Sequence, residues 1–309
     1  MLKSLIVGHR TLVIDEARRI ENIGLCIKLI YDNLEGVKVI ATGSSTFELA
    51  NRINEPLTGR KWEFMLFPLS YSEMVSHHGL VNERRLLHQL LIFGYYPEVV
   101  NSPGDERLIL QQLSDSYLYK DILTWENVQK PAKLEALVKA LAFQLGNEVS
   151  YLELSRSTGL DKETVERYIG LLERAFIVFR LSSFSRNLRT ELKKSRKIYF
   201  YDNGLRNAVI RNFSPVGLRD DIGALWENFL MAERLKYLQK HQLYANRYFW
   251  RTHSQQEIDY IEERDGMLYA FEFRWGENTK AHFAKSFLEA YPNHTNTVIR
   301  PGNFEDFVV

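Results

Sequence analysis

The sequence predicts an α/β protein assembled from several parts, and three observations predict it. Two short apolar runs, Thr11–Asp15 and Val37–Thr42, flank an amphipathic stretch at Ile23–Leu34, which is the strand–helix–strand order of a parallel βαβ unit. A helical middle follows, punctuated by Gly94, Pro97 and Pro131. The last third returns to β-rich runs on either side of Asp265-Gly266, a dipeptide that favours a two-residue hairpin because both positions need positive φ.

A chain of 309 residues exceeds what one hydrophobic core usually organises. Four segments are expected, at 1–78, 79–130, 131–190 and 191–309. With 45% hydrophobic and 26% charged residues and a net charge of +1, bulk charge selects no partner; only local clustering informs. Cys26 is the one cysteine, so no internal disulfide forms and a reducing, cytoplasmic setting is expected. No uncharged apolar run reaches the ~18 residues of a membrane span. Neither export nor membrane insertion is expected.

In the first segment the Thr11–Asp15 strand ends in two carboxylates, Asp15 and Glu16. Such a pair at a strand end can hold the Mg²⁺ of a nucleotide and polarise its attacking water. The phosphate-cradling loop GxxxxGK[ST] should come earlier in the chain, yet none is found in the residues before Thr11. Gly43-Ser44-Ser45 follows the second strand, at the sheet edge where polar groups of such folds collect.

From Glu83 to Gln129 the pattern is helical, with Leu86, Leu87, Leu90 and Leu91 on one stripe. Helices are then predicted at Leu134–Phe143, Tyr151–Thr158 and Lys162–Ala175, with Gly159 at the turn and a wing strand at Phe176–Leu181. In this helix-turn-helix reading Thr164, Arg167 and Tyr168 project from the third helix towards DNA. A packing or dimerisation module is the equally weighted alternative. Arg186, Arg189, Lys193, Lys194, Arg196 and Lys197, opposed only by Glu191, add a basic cluster suited to phosphates.

The final segment reads as a strand at Ile198–Tyr201, a turn at Asp202-Asn203-Gly204, a helix at Ile222–Gln239, strands at Tyr248–Arg251, Ile258–Glu263 and Met267–Trp275, a helix at Lys280–Glu289 and a strand at Thr297–Arg300. A hairpin closed at Asp265-Gly266 pairs Asp259 with Glu272, Tyr260 with Phe271, Ile258 with Phe273 and Glu257 with Arg274. Strict alternation then puts Glu257, Asp259, Glu272 and Arg274 on one face and Ile258, Tyr260, Phe271 and Phe273 on the other. Like charges opposite each other destabilise a sheet unless a cation neutralises them. Mg²⁺ is one candidate, and Arg274 itself is the other. Glu227 in the preceding helix could supply a third carboxylate.

Several motifs converge on one family. Leu12-Val13-Ile14-Asp15-Glu16-Ala17, Ala41-Thr42-Gly43-Ser44-Ser45, Leu57-Thr58-Gly59-Arg60 and Phe67-Pro68-Leu69-Ser70-Tyr71-Ser72-Glu73 resemble prokaryotic AAA-plus ATPases that carry a C-terminal nuclease-like domain of unknown function. The stretches Lys197 to Arg206, Gly223 to Asn228, Glu257 to Tyr260 and Glu272 to Arg274 resemble that second domain.

The resemblance implies a partial AAA-plus parallel βαβ unit, a helical linker, a winged helix and a restriction-endonuclease-like α/β domain. It implies that Asp15 holds Mg²⁺ beside ATP, Glu16 orients water, Ser44 or Ser45 lies near a sensor position and Arg60 senses the γ-phosphate. It further implies a PD-(D/E)xK core with Glu227, Asp259 and Glu272 facing a metal, where Arg274 replaces the usual lysine with a planar head that does not deprotonate. The missing first strand, phosphate loop and helix amount to roughly 50 to 60 residues, so the chain is expected to be a truncated member unable to hydrolyse ATP alone. A Mg²⁺-dependent nuclease and a non-catalytic DNA- or protein-binding module are the alternatives. DNA, a second copy or another protein are the candidate partners.

Overall fold

The structure, a computed structural model, describes residues 8–43, 60–116, 131–185, 196–252 and 254–309. It is mixed α/β. Ser44, Ser45, Arg189, Lys193 and Lys194 lie outside the described residues. Two compact units result, one of Met1–Leu66 with Arg174–Phe176 and one of Phe67–Glu173 with Ile177–Val309.

In the first unit β1 (Thr11–Ile14) and β2 (Lys38–Ala41) pair in parallel, with Leu12 opposite Val39 and Ile14 opposite Ala41. The Ile23–Asn33 helix lies between them in sequence. Alternation puts Ile14, Val39 and Ala41 against Ile23, Ile27 and Ala17. Val13 and Ile40 occupy the opposite, exposed face.

The second unit contains a mixed sheet in the order β3-β5-β4-β6-β7-β8-β9 among the described residues. Its strands are β3 (Glu148–Val149), β4 (Val178–Ser183), β5 (Arg196–Phe200), β6 (Asn246–Arg251), β7 (Glu257–Arg264), β8 (Met267–Phe273) and β9 (His294–Ile299). β9 begins earlier than its sequence suggests because it pairs along β8 from Leu268–His294 to Phe273–Ile299.

Helices Pro131–Phe143, Tyr151–Thr158 and Lys162–Arg174 bury Leu134, Leu137, Leu141, Leu154, Val165, Ile169 and Leu172. The Ile222–Lys240 helix is buried nearly all round, so each polar residue on it needs a partner. Asn228 acts as a surrogate backbone group, accepting from Phe200 N (2.7 Å) and donating to Phe200 O (3.1 Å). Glu233 accepts from Tyr71 N and Lys236, both at 2.6 Å. This seats the Tyr71–His78 helix, whose start is fixed by a Ser70–Glu73 capping box.

A close backbone approach completes the frame. Asp202 caps the Asn203–Val209 helix at Leu205 N (3.0 Å) and also accepts from Tyr95 N (2.7 Å). Gly204 sits against the Phe93 carbonyl so tightly that a Cβ would stand 2.0 Å from its oxygen.

Candidate functional site

Two acid constellations are positioned by the fold, one in each unit. In the first, parallel pairing of Ile14 with Ala41 brings the next residues of both strands, Asp15 and Thr42, side by side. Thr42 Oγ1 donates to Asp15 Oδ1 at 2.6 Å. Glu16 N donates to the same Asp15 oxygen (3.0 Å) and to Thr42 Oγ1 (3.3 Å). Glu16 adopts a left-handed backbone, φ 46°, which costs a non-glycine residue about 1 kcal/mol or more and is often retained at functional sites. Polar atoms thus gather at the carboxyl edge of a parallel sheet, where such folds bind ligands.

Arg60 does not join this group. Its Nη1 pairs with Asp32 on the Ile23–Asn33 helix at 3.0 Å, and its head lies over the Tyr31 ring. In the structure Arg60 is held as a structural ion pair. The residue that spacing missed is Thr42, whose signal was its place one step beyond β2, level with Asp15.

The second constellation lies in the C-terminal sheet. The Asp265-Gly266 turn closes as predicted, with φ of 51° and 76°, and pairs Tyr260 with Phe271 and Arg264 with Met267. Tyr260 stacks on Phe271 and Phe273. Strict alternation then breaks. Tyr248 and Trp250 of β6 face Ile261 and Ile258 of β7, so two steps on one strand span three on the other. The extra residue is a bulge, which redirects side chains near many active sites. Ile258 consequently packs with Ile261, Leu268 and Ala270 rather than with Tyr260.

Beyond Tyr260 the β7–β8 register is replaced by side-chain bonds. Asp259 Oδ2 accepts from Phe273 N at 2.8 Å and from Arg274 Nη1 at 3.0 Å. Arg274 Nη2 donates to Glu272, and Arg274 Nη1 also donates to Phe273 O at 2.6 Å. One guanidinium therefore bridges the two carboxylates. Arg274 does not face Glu257, because the bulge carries Glu257 to Lys197 at 2.6 Å. Arg251 lies 3.8 Å from Glu257 as well.

Lys197, on β5, is the residue that the sequence concealed. Placed there in the basic run, it is 2% exposed at its side chain and bridges Glu257 to Glu227, the latter at 3.0 Å. Glu227 also accepts from Tyr199 Oη at 2.6 Å. Burial alone would lower the lysine pKa, but Glu227, Asp259 and Glu257 together carry it above its ordinary value. Burial raises the Glu227 carboxyl, against the pull of Lys197. Burial followed by repulsion from Asp259 pushes Glu272 up to about 8, with Arg274 opposing.

The helix-turn-helix residues are divided. Tyr168 is buried, 3% exposed, because it shares a stripe with Val165, Ile169 and Leu172; it does not project towards a partner. Thr164 is occupied at the start of its helix, its N and Oγ1 both bound to Asp161. Arg167 is exposed with its head 5.4 Å from the Tyr168 ring. Glu163 and Glu166 share the exposed surface of this helix, so its outer face is not basic.

Comparison with known proteins matches the two constellations to different models. Residues 1–75 match the family model of an AAA domain, which supports an AAA-like ATPase family for the part that holds Asp15, Glu16 and Thr42. Residues 84–216 match a domain of unknown function (DUF8612), and residues 222–308 match another (DUF4143). Among curated relatives, uncharacterized proteins of Mycobacterium tuberculosis and Mycobacterium bovis are each 25% identical over 268 residues, covering 85% of this chain and 58% of theirs. An uncharacterized protein of Haemophilus influenzae is 28% identical over 184 residues, covering 56% of this chain and 46% of its own. The chain spans about half the length of the curated relatives it matches. No helix among the described residues is long and apolar enough to cross a membrane.

Proposed function

We propose that this chain is the Mg²⁺- and water-facing half of an AAA-like ATP site joined to a nuclease-like sheet, and that it does not hydrolyse ATP by itself. The observation that carries this reading is the Asp15–Thr42 pair at the carboxyl ends of adjacent parallel strands, with Glu16 turned beside it. Asp15 is suited to hold Mg²⁺, Glu16 to orient water and Thr42 to hold Asp15 in place. Within the 309 residues there is no GxxxxGK[ST] stretch, and phosphates then lack their backbone cradle and lysine.

Equilibrium dialysis against Mg·ATP tests the reading. Held only through a metal, nucleotide should bind with a Kd of about 1 mM or weaker. Micromolar binding that disappears in Asp15→Asn would show a complete site and overturn it.

A second reading, nucleic-acid contact, is favoured by one observation. Helices Pro131–Phe143, Tyr151–Thr158 and Lys162–Arg174 precede a hairpin of β4 and β5, with β3 on the outer side of β5, an order that supports a winged-helix reading. The basic residues Arg189, Lys193 and Lys194 lie between β4 and β5 in sequence. Contact would therefore run to phosphates rather than base edges. Binding to duplex DNA should fall steeply with salt and weaken on Lys193→Glu with Lys194→Glu; salt-insensitive binding rejects it.

A further inference from the structure

The acid face of the C-terminal sheet has the carboxylates for a divalent cation, but each is already held by a neighbouring group. Asp259 Oδ2 is bound by Phe273 N and by Arg274, and Glu272 is bound by the other arm of the same guanidinium. Glu227 is taken by Lys197 and Tyr199, and Glu257 by Lys197. A hard cation needs oxygens from one or two carboxylates plus water in a fixed geometry. Here it would have to expel a guanidinium that three acceptors hold, on Asp259, Glu272 and the Phe273 carbonyl. The residues do not fit Mg²⁺ in this arrangement.

We propose that the Arg274 guanidinium occupies the divalent-cation position of this face, making it a metal-free cluster of ion pairs and charge-assisted hydrogen bonds that binds the frayed end of β7 to β8. The planar fork explains why arginine serves. Its two nitrogens reach two separate carboxylates at once, whereas a lysine offers one compact charge on a flexible stem. Bulge and arginine act together: the bulge frees Asp259 from the ladder, and Arg274 replaces the lost strand pairing with side-chain bonds.

Mn²⁺ alone is the probe, followed by the loss of its free-ion paramagnetic resonance signal on titration with the full chain. Asp259→Asn in each background separates this face from Mn²⁺ held at Asp15, which that change leaves untouched. The wild-type chain should show no Asp259-dependent uptake, while Arg274→Lys and Arg274→Ala should each gain a site that Asp259→Asn removes. Near-ultraviolet circular dichroism identifies any variant that fails to fold, and the conservative Arg274→Lys keeps the test open if Arg274→Ala does. Asp259-dependent uptake by the wild-type chain would overturn the proposal. So would folded arginine variants that remain unable to bind Mn²⁺.

Discussion

Lys197→Met isolates the charge at the centre of the C-terminal cluster. The ammonium stands 2.6 Å from Glu257 and 3.0 Å from Glu227, and it lies over the Phe249 ring at 5.6 Å. Methionine keeps most of the apolar stem, so packing is largely retained while the charge is lost. Removing one partner of a buried pair costs about 3–5 kcal/mol, because the other is left uncompensated. Glu257, with a side chain 29% exposed, can re-solvate; Glu227, at 15%, cannot do so fully and keeps only the Tyr199 hydroxyl. The loss should therefore sit at the lower end, about 3 kcal/mol near neutral pH. It should shrink in mildly acid buffer, where Glu227, already raised by burial, takes up a proton. Urea unfolding followed by tryptophan fluorescence should show an earlier midpoint with an unchanged slope. Adding Glu227→Gln should recover most of the loss, since the orphaned charge is gone. A loss below about 1 kcal/mol, the range of an exposed pair, would refute the reasoning. A double variant weaker than Lys197→Met alone would refute it too.

Three further outcomes follow from the same geometry. Asn228→Ala strands the N–H and C=O of Phe200 and should cost about 2–4 kcal/mol in the same unfolding assay. Gly204→Ala places a methyl 2.0 Å from the Phe93 oxygen; since backbone cannot swing aside as a side chain can, about 3 kcal/mol or more should be lost, read as a fall in Tm. The Glu272 carboxyl, pushed up to about 8 when folded, releases its proton near 4.5 when unfolded. Its contribution is full below the unfolded value and is lost as pH rises through about 8, so stability should decline across that window and Glu272→Gln should flatten the decline.

Local chemistry made part of this protein legible and non-local packing hid the rest. The Asp265-Gly266 turn could be read because two adjacent residues determine it, and Tyr260–Phe271 pairing followed directly. The bulge could not, since it depends on how β6 meets β7. It moved Ile258 to the other face and Glu257 to Lys197. Lys197 looked like one member of a basic surface run because nothing nearby in sequence says that Glu227 and Glu257, 30 and 60 residues later, converge on it. Tyr168 was readable after all, since Val165, Tyr168, Ile169 and Leu172 follow helical spacing. The Tyr71–His78 helix likewise carried its signal in Ser70 and Glu73. Asp15 was legible as a strand-end acid, but its partner Thr42 required the parallel register.

Steady-state phosphate release from Mg·ATP by the 309-residue chain tests the central claim most directly. The half-site account predicts no turnover above that of Asp15→Asn. Turnover by the wild-type chain that Asp15→Asn or Glu16→Gln abolishes would contradict it.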